Sequence, residues 1–246
     1  MDKYGLLGKN ISYSFSRNYF NTKFERQNID AVYENFDLSE IEKFPEIIKN
    51  NRDLKGLNVT IPYKESIIPF LDGLDKKAKK IGAVNTIKIN EDGKLIGHNT
   101  DYYGFKNSLT PLLKPKHKRA LILGTGGASK AIAYALKKLD LEYRFVSRTA
   151  SKKVDFTYKG LTSDIISSHQ IIINCTPLGT FPKIEDHPNI PYLGITSNHI
   201  LYDLIYNPDE TTFLRFGREK KAITINGLQM LELQAEKAWK IWNRKS

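Results

Sequence analysis

Cysteine, clustered histidine and long apolar runs are all scarce in this chain, and each scarcity removes a class of protein. A single cysteine, Cys175, among 246 residues leaves no internal disulfide to form, so a reducing, cytoplasmic setting is expected. No apolar run approaches the roughly 18 residues of a membrane helix. The opening "MDKYGLLGKN" has no basic start, apolar stretch and small-residue cleavage site, so no secretory leader is expected. The five histidines, at 98, 117, 169, 187 and 199, lack ligand spacing, and one cysteine does not complete a zinc set, so no metal centre is expected. Acidic residues are the minority, 27 against 38 basic, giving a net charge of +11. That excess invites a nucleic-acid reading. The basic groups "KKAKK" and "KPKHKR" are short, separated by acidic and apolar sequence and not interleaved with aromatics, so no dedicated nucleic-acid surface is expected. A positive field still draws in small anions.

What is present is the composition of a globular protein, 40% hydrophobic and 11% aromatic, with length for two modest domains. In the first hundred residues strand-like runs ("KYGLLG", "AVYENFDL", "GLNVTI") alternate with helix-like ones (16–29 and "LSEIEKFPEIIKN"), the order of an α/β layer. "YKESIIPFL" and "GLDKKAKKIG" read as short helices, and "AVNTIKINEDGKLIGHNTD" as two strands about the turn "NEDG". A second unit follows Asp101. It opens with the helix-like "YYGFKNSLTPLL", then reads strand, glycine turn, helix and strand through "RALILGTGGASKAIAYALKKLD" and "EYRFVSRT". "HQIIINCTP", "HILYDLIYNP" and "AITING" add strands, "TTFLRFGREKK" a helix, and a last helix starts near Leu228.

Gly124, Gly126 and Gly127 lie between a strand and a helix, where a phosphate needs close approach to backbone amides and a helix N-terminus adds positive potential. Ser129 replaces the third glycine of the usual dinucleotide fingerprint, though small residues at Ala128 and Ser129 keep the helix close. A purely structural turn is the alternative. The following strand ends in Ser147, Arg148 and Thr149, where an NAD-binding fold carries an acid for the ribose 2′-hydroxyl. A guanidinium grips a 2′-phosphate, hydroxyls at Ser147 and Thr149 assist, and Lys152 or Lys153 adds charge; this favours NADP, against the alternative of an exposed strand-end cation.

Reducing a carbonyl with such a carrier leaves an oxyanion that must take up a proton. Lys64, after the strand "GLNVTI", and Asp101, ending "GHNTD", are the donors expected to meet at a cleft. Taken together, "NVTIPYK" (58–64), "GAVNT" (82–86), "GHNTD" (97–101), "GTGGASKA" (124–131), "SRT" (147–149), "NCTPLGT" (174–180), "YDLIYNP" (202–208) and "GLQMLELQAE" (227–236) resemble the shikimate dehydrogenase family, in its order and over nearly the whole chain.

The resemblance implies an α/β protein of two domains: a substrate-binding, catalytic domain of residues 1–101 plus 226–246, and a Rossmann-like NADP-binding domain of residues 102–225. It implies reversible reduction of 3-dehydroshikimate to shikimate by NADPH, with Lys64 and Asp101 as the catalytic pair. By motif position Ser14 and Ser16 would hold the substrate carboxylate, and Thr60, Asn85, Tyr206 and Gln234 its hydroxyls. Gly124, Gly126, Gly127, Ala128, Ser147, Arg148, Thr149, Thr176 and Leu178 would hold the cofactor, with Gly227 near the nicotinamide. The small molecule is the only partner implied, for a monomer or homodimer.

The chain departs from the family pattern at Tyr13 and Arg17, where the commoner form has histidine and proline, which puts the rigidity of the serine loop in question. Without the motif, a helix N-cap and its neighbour would explain both serines. Asp164 follows only 15 positions after Thr149, so this half of the cofactor domain is expected to be trimmed. A quinate/shikimate dehydrogenase using NAD and a nucleotide-binding regulatory protein without catalysis stay open as alternatives; Arg148 speaks against the first, Lys64 and Asp101 against the second.

Overall fold

The computed structural model describes residues 1–12 and 14–244, which divide into two compact units: the described residues of 1–100 with 234–244, and 101–233. The sequence expectation placed the boundaries at 101 and 226. The first turns of the last helix cluster with the second unit, where the Gly227 N–H bonds the Ile205 carbonyl at 2.8 Å.

In the first unit, β1 (Asp2–Gly8), β2 (Ala31–Asp37) and β3 (Leu54–Val59) run parallel. β4 (Gly73–Leu74), β5 (Thr86–Ile89) and β6 (Leu95–His98) complete a six-stranded sheet in the order β2-β1-β3-β5-β6-β4, with β5 antiparallel to both β3 and β6. The helix α1 (Phe15–Arg26) ends sooner than expected, where Asn28 takes a left-handed φ of 50°. Helices α2 (Phe44–Asn50) and α3 (Lys76–Ile81) follow, α3 ending on Gly82 at φ 72°. The expected helix in "YKESIIPFL" is a chain of turns with one 3-10 turn at Ile68–Phe70. Pro69 carries no N–H to continue a helical ladder there.

Two cores flank this sheet. Leu7, Leu57, Val59, Ile67, Val84 and Ile87 fill one; the other is aromatic, with Tyr4, Phe20, Phe24, Tyr33 and Trp242 buried beside Trp239. Aromatic rings bury large areas each, and here they dock the end of α8 (Leu228–Trp242), whose Trp242 indole donates to the Ile87 carbonyl at 2.9 Å. That docking carries Gln234 to the sheet.

In the second unit, α4 (Asp101–Leu109) leads to β7 (Arg119–Leu123), α5 (Gly127–Lys138), β8 (Glu142–Ser147), β9 (Phe156–Thr157), α6 (Ser163–Ser167), β10 (Ile171–Asn174), β11 (Ile200–Asp203), α7 (Thr212–Glu219) and β12 (Ile223–Ile225). All six strands are parallel, in the order β12-β11-β10-β7-β8-β9. Read from β9, this is the 3-2-1-4-5-6 order of a dinucleotide-binding fold. The continuous apolar runs of β7, β10 and β11 are those of strands covered on both faces. The trimmed half is visible: no helix separates β8 from β9 among the described residues, and β9 has two residues.

Candidate functional site

Strand register assembles the polar residues of the first unit. Asn58 on β3 faces Thr86 on β5, and Thr86 faces His98 on β6, which brings Asn85 and Thr100 side by side. The Asn85 amide donates to Thr100 Oγ1 at 2.9 Å and to Gln234 Oε1 at 3.2 Å, and its Oδ1 accepts the Thr100 backbone N–H at 2.6 Å. Thr100 Oγ1 lies 3.1 Å from the same Gln234 oxygen. Two donors converging on Oε1 fix the Gln234 amide, and its Nε2 meets no acceptor among the described residues. Further along, Asn58 Nδ2 donates to the Asn85 carbonyl at 3.3 Å, Tyr33 Oη donates to Asn58 Oδ1 at 2.8 Å, and Ser16 hydrogen-bonds the Tyr33 phenol. Burial holds that phenol well above its ordinary pKa, so it stays a neutral donor. Ser16, Asn85 and Gln234, three of the residues expected to bind substrate, therefore sit on one buried network.

The other expected residues are placed as follows. Ser14 caps α1, its Oγ accepting the Arg17 N–H at 3.2 Å. Arg17 thus lies in the first turn of α1; Tyr13 lies outside the described residues. Thr60 is half-buried, its N–H bonded to the Leu7 carbonyl at 2.9 Å. Lys64 is half-buried on the turn after β3, and its carbonyl accepts the Val84 N–H at 2.7 Å, one residue from Asn85. Asp101, buried, opens α4 directly after Thr100. A helix N-terminus favours its negative charge. Tyr206 is half-buried in the loop after β11.

At the C-terminal edge of the second sheet, Gly124 follows β7 with φ 106°. A Cβ there would stand 3.2 Å from Thr176 Cγ2 and 3.3 Å from the Cys175 carbonyl, so the β7 turn and the loop after β10 touch through the missing side chain. This is the point where strand order reverses and such folds take up ligands. Gly126 is the N-cap of α5, has no side-chain cap, and faces open space on its Cβ side. First-turn amides such as those of Gly127 and Ala128 have no acceptor within their own helix, and a helix N-terminus carries positive potential. Ser129 is buried, its Oγ bonded to the Gly126 carbonyl at 2.6 Å. Ser147 ends β8, half-buried, and Arg148 and Thr149 are exposed beyond it. An open N-terminus, a glycine cradle and an exposed guanidinium where an acid would otherwise stand fit a dinucleotide with a 2′-phosphate.

Thr176 and Leu178 are held from beneath. Asn174 Oδ1 accepts the Thr176 N–H at 3.0 Å and its O–H at 2.6 Å, and Thr176 Oγ1 accepts the Leu178 N–H at 3.3 Å. The Asn174 amide donates to Asp203 Oδ1 at 3.1 Å. Burial pushes the Asp203 carboxyl up to about 6, against the opposing bonds from Thr211, the Ile205 N–H and Asn174. The half-buried Cys175 thiol is pushed up by burial, then by Asp203 and Asp101, which keeps it protonated. Gly227 packs on the loop after β11: a Cβ would lie 2.1 Å from the Leu204 carbonyl oxygen. Sequence reasoning missed Tyr33, Asn58, Thr86, Thr100 and Asp203 as site residues. Polarity inside a strand run was the available signal for Asn58, in "GLNVTI", and for Thr86, in "GAVNT"; Tyr33, Thr100 and Asp203 carried none that local pattern isolates.

The chain is similar to known proteins by family model, by sequence and by structure. The family model "Shikimate dehydrogenase substrate binding domain" matches residues 6–87. A "Shikimate dehydrogenase (NADP(+))" of Caldicellulosiruptor saccharolyticus is 39% identical over 266 aligned positions, covering 98% of this chain and 92% of that one. Among solved structures, a shikimate dehydrogenase from Aquifex aeolicus superposes with a TM-score of 0.88 at 37% identity, covering 99% of this chain and 92% of that one. A shikimate 5-dehydrogenase from Thermus thermophilus, in complex with NADP(H) and shikimate, gives 0.88 at 29% identity over 99% and 94%.

Proposed function

We propose an activity from one premise: the chain belongs to the shikimate dehydrogenase family. It is an NADP-dependent oxidoreductase that reversibly reduces 3-dehydroshikimate to shikimate, a step in making aromatic amino acids. The observation that carries this reading is similarity over 98% of the chain to an NADP(+) shikimate dehydrogenase. In this reading residues 1–101 and 226–246 serve the substrate and 102–225 the cofactor, in a cytoplasmic enzyme that acts as a monomer or homodimer without nucleic acid or membrane. No helix among the described residues is long and apolar enough to cross a membrane.

NADPH, when bound, supplies the hydride. Lys64 gives the proton to the carbonyl oxygen during reduction and takes it from the hydroxyl during oxidation; Asp101 orients the Lys64 ammonium and accepts from a substrate hydroxyl. Gln234 offers Nε2 to a second hydroxyl, and Asn85 acts by holding Gln234 and Thr100 in place. Thr60 and Tyr206 supply further hydroxyl contacts, and Ser14 and Ser16 receive the carboxylate. Gly124, Gly126, Gly127 and Ala128 admit the pyrophosphate, Thr176, Leu178 and Gly227 border the nicotinamide half, and Ser147, Arg148 and Thr149 take the 2′-phosphate.

The test is the purified chain with shikimate and NADP⁺, followed by reduced-nicotinamide absorbance, then with NAD⁺ and with quinate. Turnover on shikimate with NADP⁺ preferred is expected. Cofactor binding with no shikimate-dependent signal would favour a regulatory protein, and preference for NAD⁺ with quinate would favour the quinate enzyme.

A further inference from the structure

The mechanism above uses no group on β11, yet Asp203 at its end is fully buried and polar. Three donors hold it: Asn174 Nδ2 and the Ile205 N–H on Oδ1, both at 3.1 Å, and Thr211 Oγ1 on Oδ2 at 2.7 Å. The Asn174 amide has acceptors on its nitrogen side, Asp203 Oδ1 and the Leu178 carbonyl, and donors on its oxygen side, the N–H and O–H of Thr176. Only one amide orientation satisfies both sides. Asp203 and the Leu178 carbonyl together fix where Asn174 Oδ1 points, Asp203 at the shorter distance, and that oxygen holds Thr176, whose Cγ2 lies 3.2 Å from the empty Cβ position of Gly124.

The geometry points to Asp203 as a positioning residue for cofactor binding, acting through Asn174 to fix the Thr176–Leu178 loop against the glycine turn. Asp203 touches neither substrate nor cofactor in this scheme. The property that matters is an acceptor oxygen facing Asn174, not the negative charge. Asparagine at 203 can keep that oxygen in place while its NH₂ turns to Thr211 Oγ1, which is able to accept as well as donate. Alanine cannot. The inference rests on the NADP reading, and its test separates the two.

The measurement is the NADP⁺ dissociation constant by titration calorimetry on the full chain, together with the KM for shikimate at saturating NADP⁺. Asp203→Ala is expected to weaken NADP⁺ by about tenfold or more, as loss of one well-made buried hydrogen bond implies. Asp203→Asn is expected to restore affinity to within about threefold of the parent. The shikimate KM should move by less than about twofold in either variant, since unrelated sites are close to independent. Thr176→Val, which keeps volume and backbone but loses the hydroxyl, is expected to weaken NADP⁺ severalfold; if Asp203→Ala does not fold, Asn174→Ala, which breaks the relay at a residue not placed against the cofactor, is expected to weaken NADP⁺ about tenfold, and parent-like affinity there overturns the inference. Parent-like NADP⁺ affinity in Asp203→Ala or in Thr176→Val overturns the inference, as does an Asp203→Asn variant no better than Asp203→Ala. A parent chain that does not bind NADP⁺ at all overturns the NADP reading and takes this inference with it.

Discussion

Asn85 donates to Gln234 across 149 residues of sequence, at 3.2 Å between buried groups. The bond joins a strand end to a helix that the sequence places at the opposite end of the chain. Replacing Gln234 with leucine leaves Asn85 Nδ2 and Thr100 Oγ1 without the oxygen they share and removes the Nε2 donor proposed for the substrate. Asn85 and Thr100 keep their bonds to each other, so the loss is that of two buried hydrogen bonds, about 0.5–1.5 kcal/mol each. Gln234→Leu should lower the melting temperature by several degrees, and raise the KM for shikimate by about tenfold or more with the NADP⁺ KM little changed. Steady-state kinetics with each substrate varied in turn, beside a thermal melt, checks both.

Lys64 is fixed by its backbone as well as by its place in the motif, since its carbonyl accepts from Val84. Substitution of the side chain leaves that bond. Lys64→Ala should therefore fold like the parent and lose turnover by about 10² to 10⁴, the usual contribution of a positioned general acid-base group. Shikimate affinity, measured by equilibrium titration, should fall far less. Near-normal turnover would remove Lys64 from the chemistry.

Arg148 stands exposed just past the end of β8. Arg148→Ala should cost little stability and should act on one cofactor only. Loss of a charge-assisted contact to a 2′-phosphate is expected to reduce kcat/KM for NADP⁺ by about 10- to 100-fold, leaving the value for NAD⁺ within about twofold. Ratios measured on both cofactors with shikimate saturating decide it.

Legibility in the sequence follows from where the information resides. The turn at Gly124–Gly127, the strands around it and the position of Arg148 lie within about 30 contiguous residues, and local chemistry reveals them. The network from Ser16 through Tyr33, Asn58 and Asn85 to Gln234 depends on register between β3, β5 and β6, and no local pattern encodes that pairing. Asp203 does not stand out within "YDLIYNP", because an acid ending an apolar strand looks the same whether it reaches solvent or three buried donors. The helix expected in "YKESIIPFL" reduces to one 3-10 turn at Ile68–Phe70, where Pro69 has no N–H to continue a ladder.

Gly227 is a tightly packed position as well as a proposed cofactor contact. Its absent side chain admits the Leu204 carbonyl oxygen, 2.1 Å from where a Cβ would stand. A backbone carbonyl cannot move aside as a flexible side chain would. Gly227→Ala should destabilise the chain by about 1–3 kcal/mol, the usual cost of overpacking. Because Gly227 immediately precedes α8, turnover should fall with stability. Denaturant titration beside kcat measures the two together; a variant of unchanged stability would show that the loop after β11 yields.

The Asp203 carboxyl makes stability depend on pH in an uncommon direction. Burial raises it from 3.8 to about 6, so between those values the folded chain holds a proton that the unfolded chain has released. Stability from this group is complete below the ordinary value and is lost as pH rises through about 6. The shift of roughly 2 units corresponds to about 3 kcal/mol as an order of magnitude. His98, His117 and His169 act oppositely: burial lowers each of them, so their contribution is present above their ordinary value and is lost as pH falls. The raw profile of the parent mixes the two, and subtracting Asp203→Asn isolates the carboxyl because the histidines are common to both proteins. The stability difference, parent minus variant, should fall by up to about 3 kcal/mol between pH about 4 and about 7 in urea titrations. A difference flat with pH would mean that the buried carboxyl is not raised, and a difference that rises with pH would mean that the three hydrogen bonds outweigh desolvation and hold it ionised.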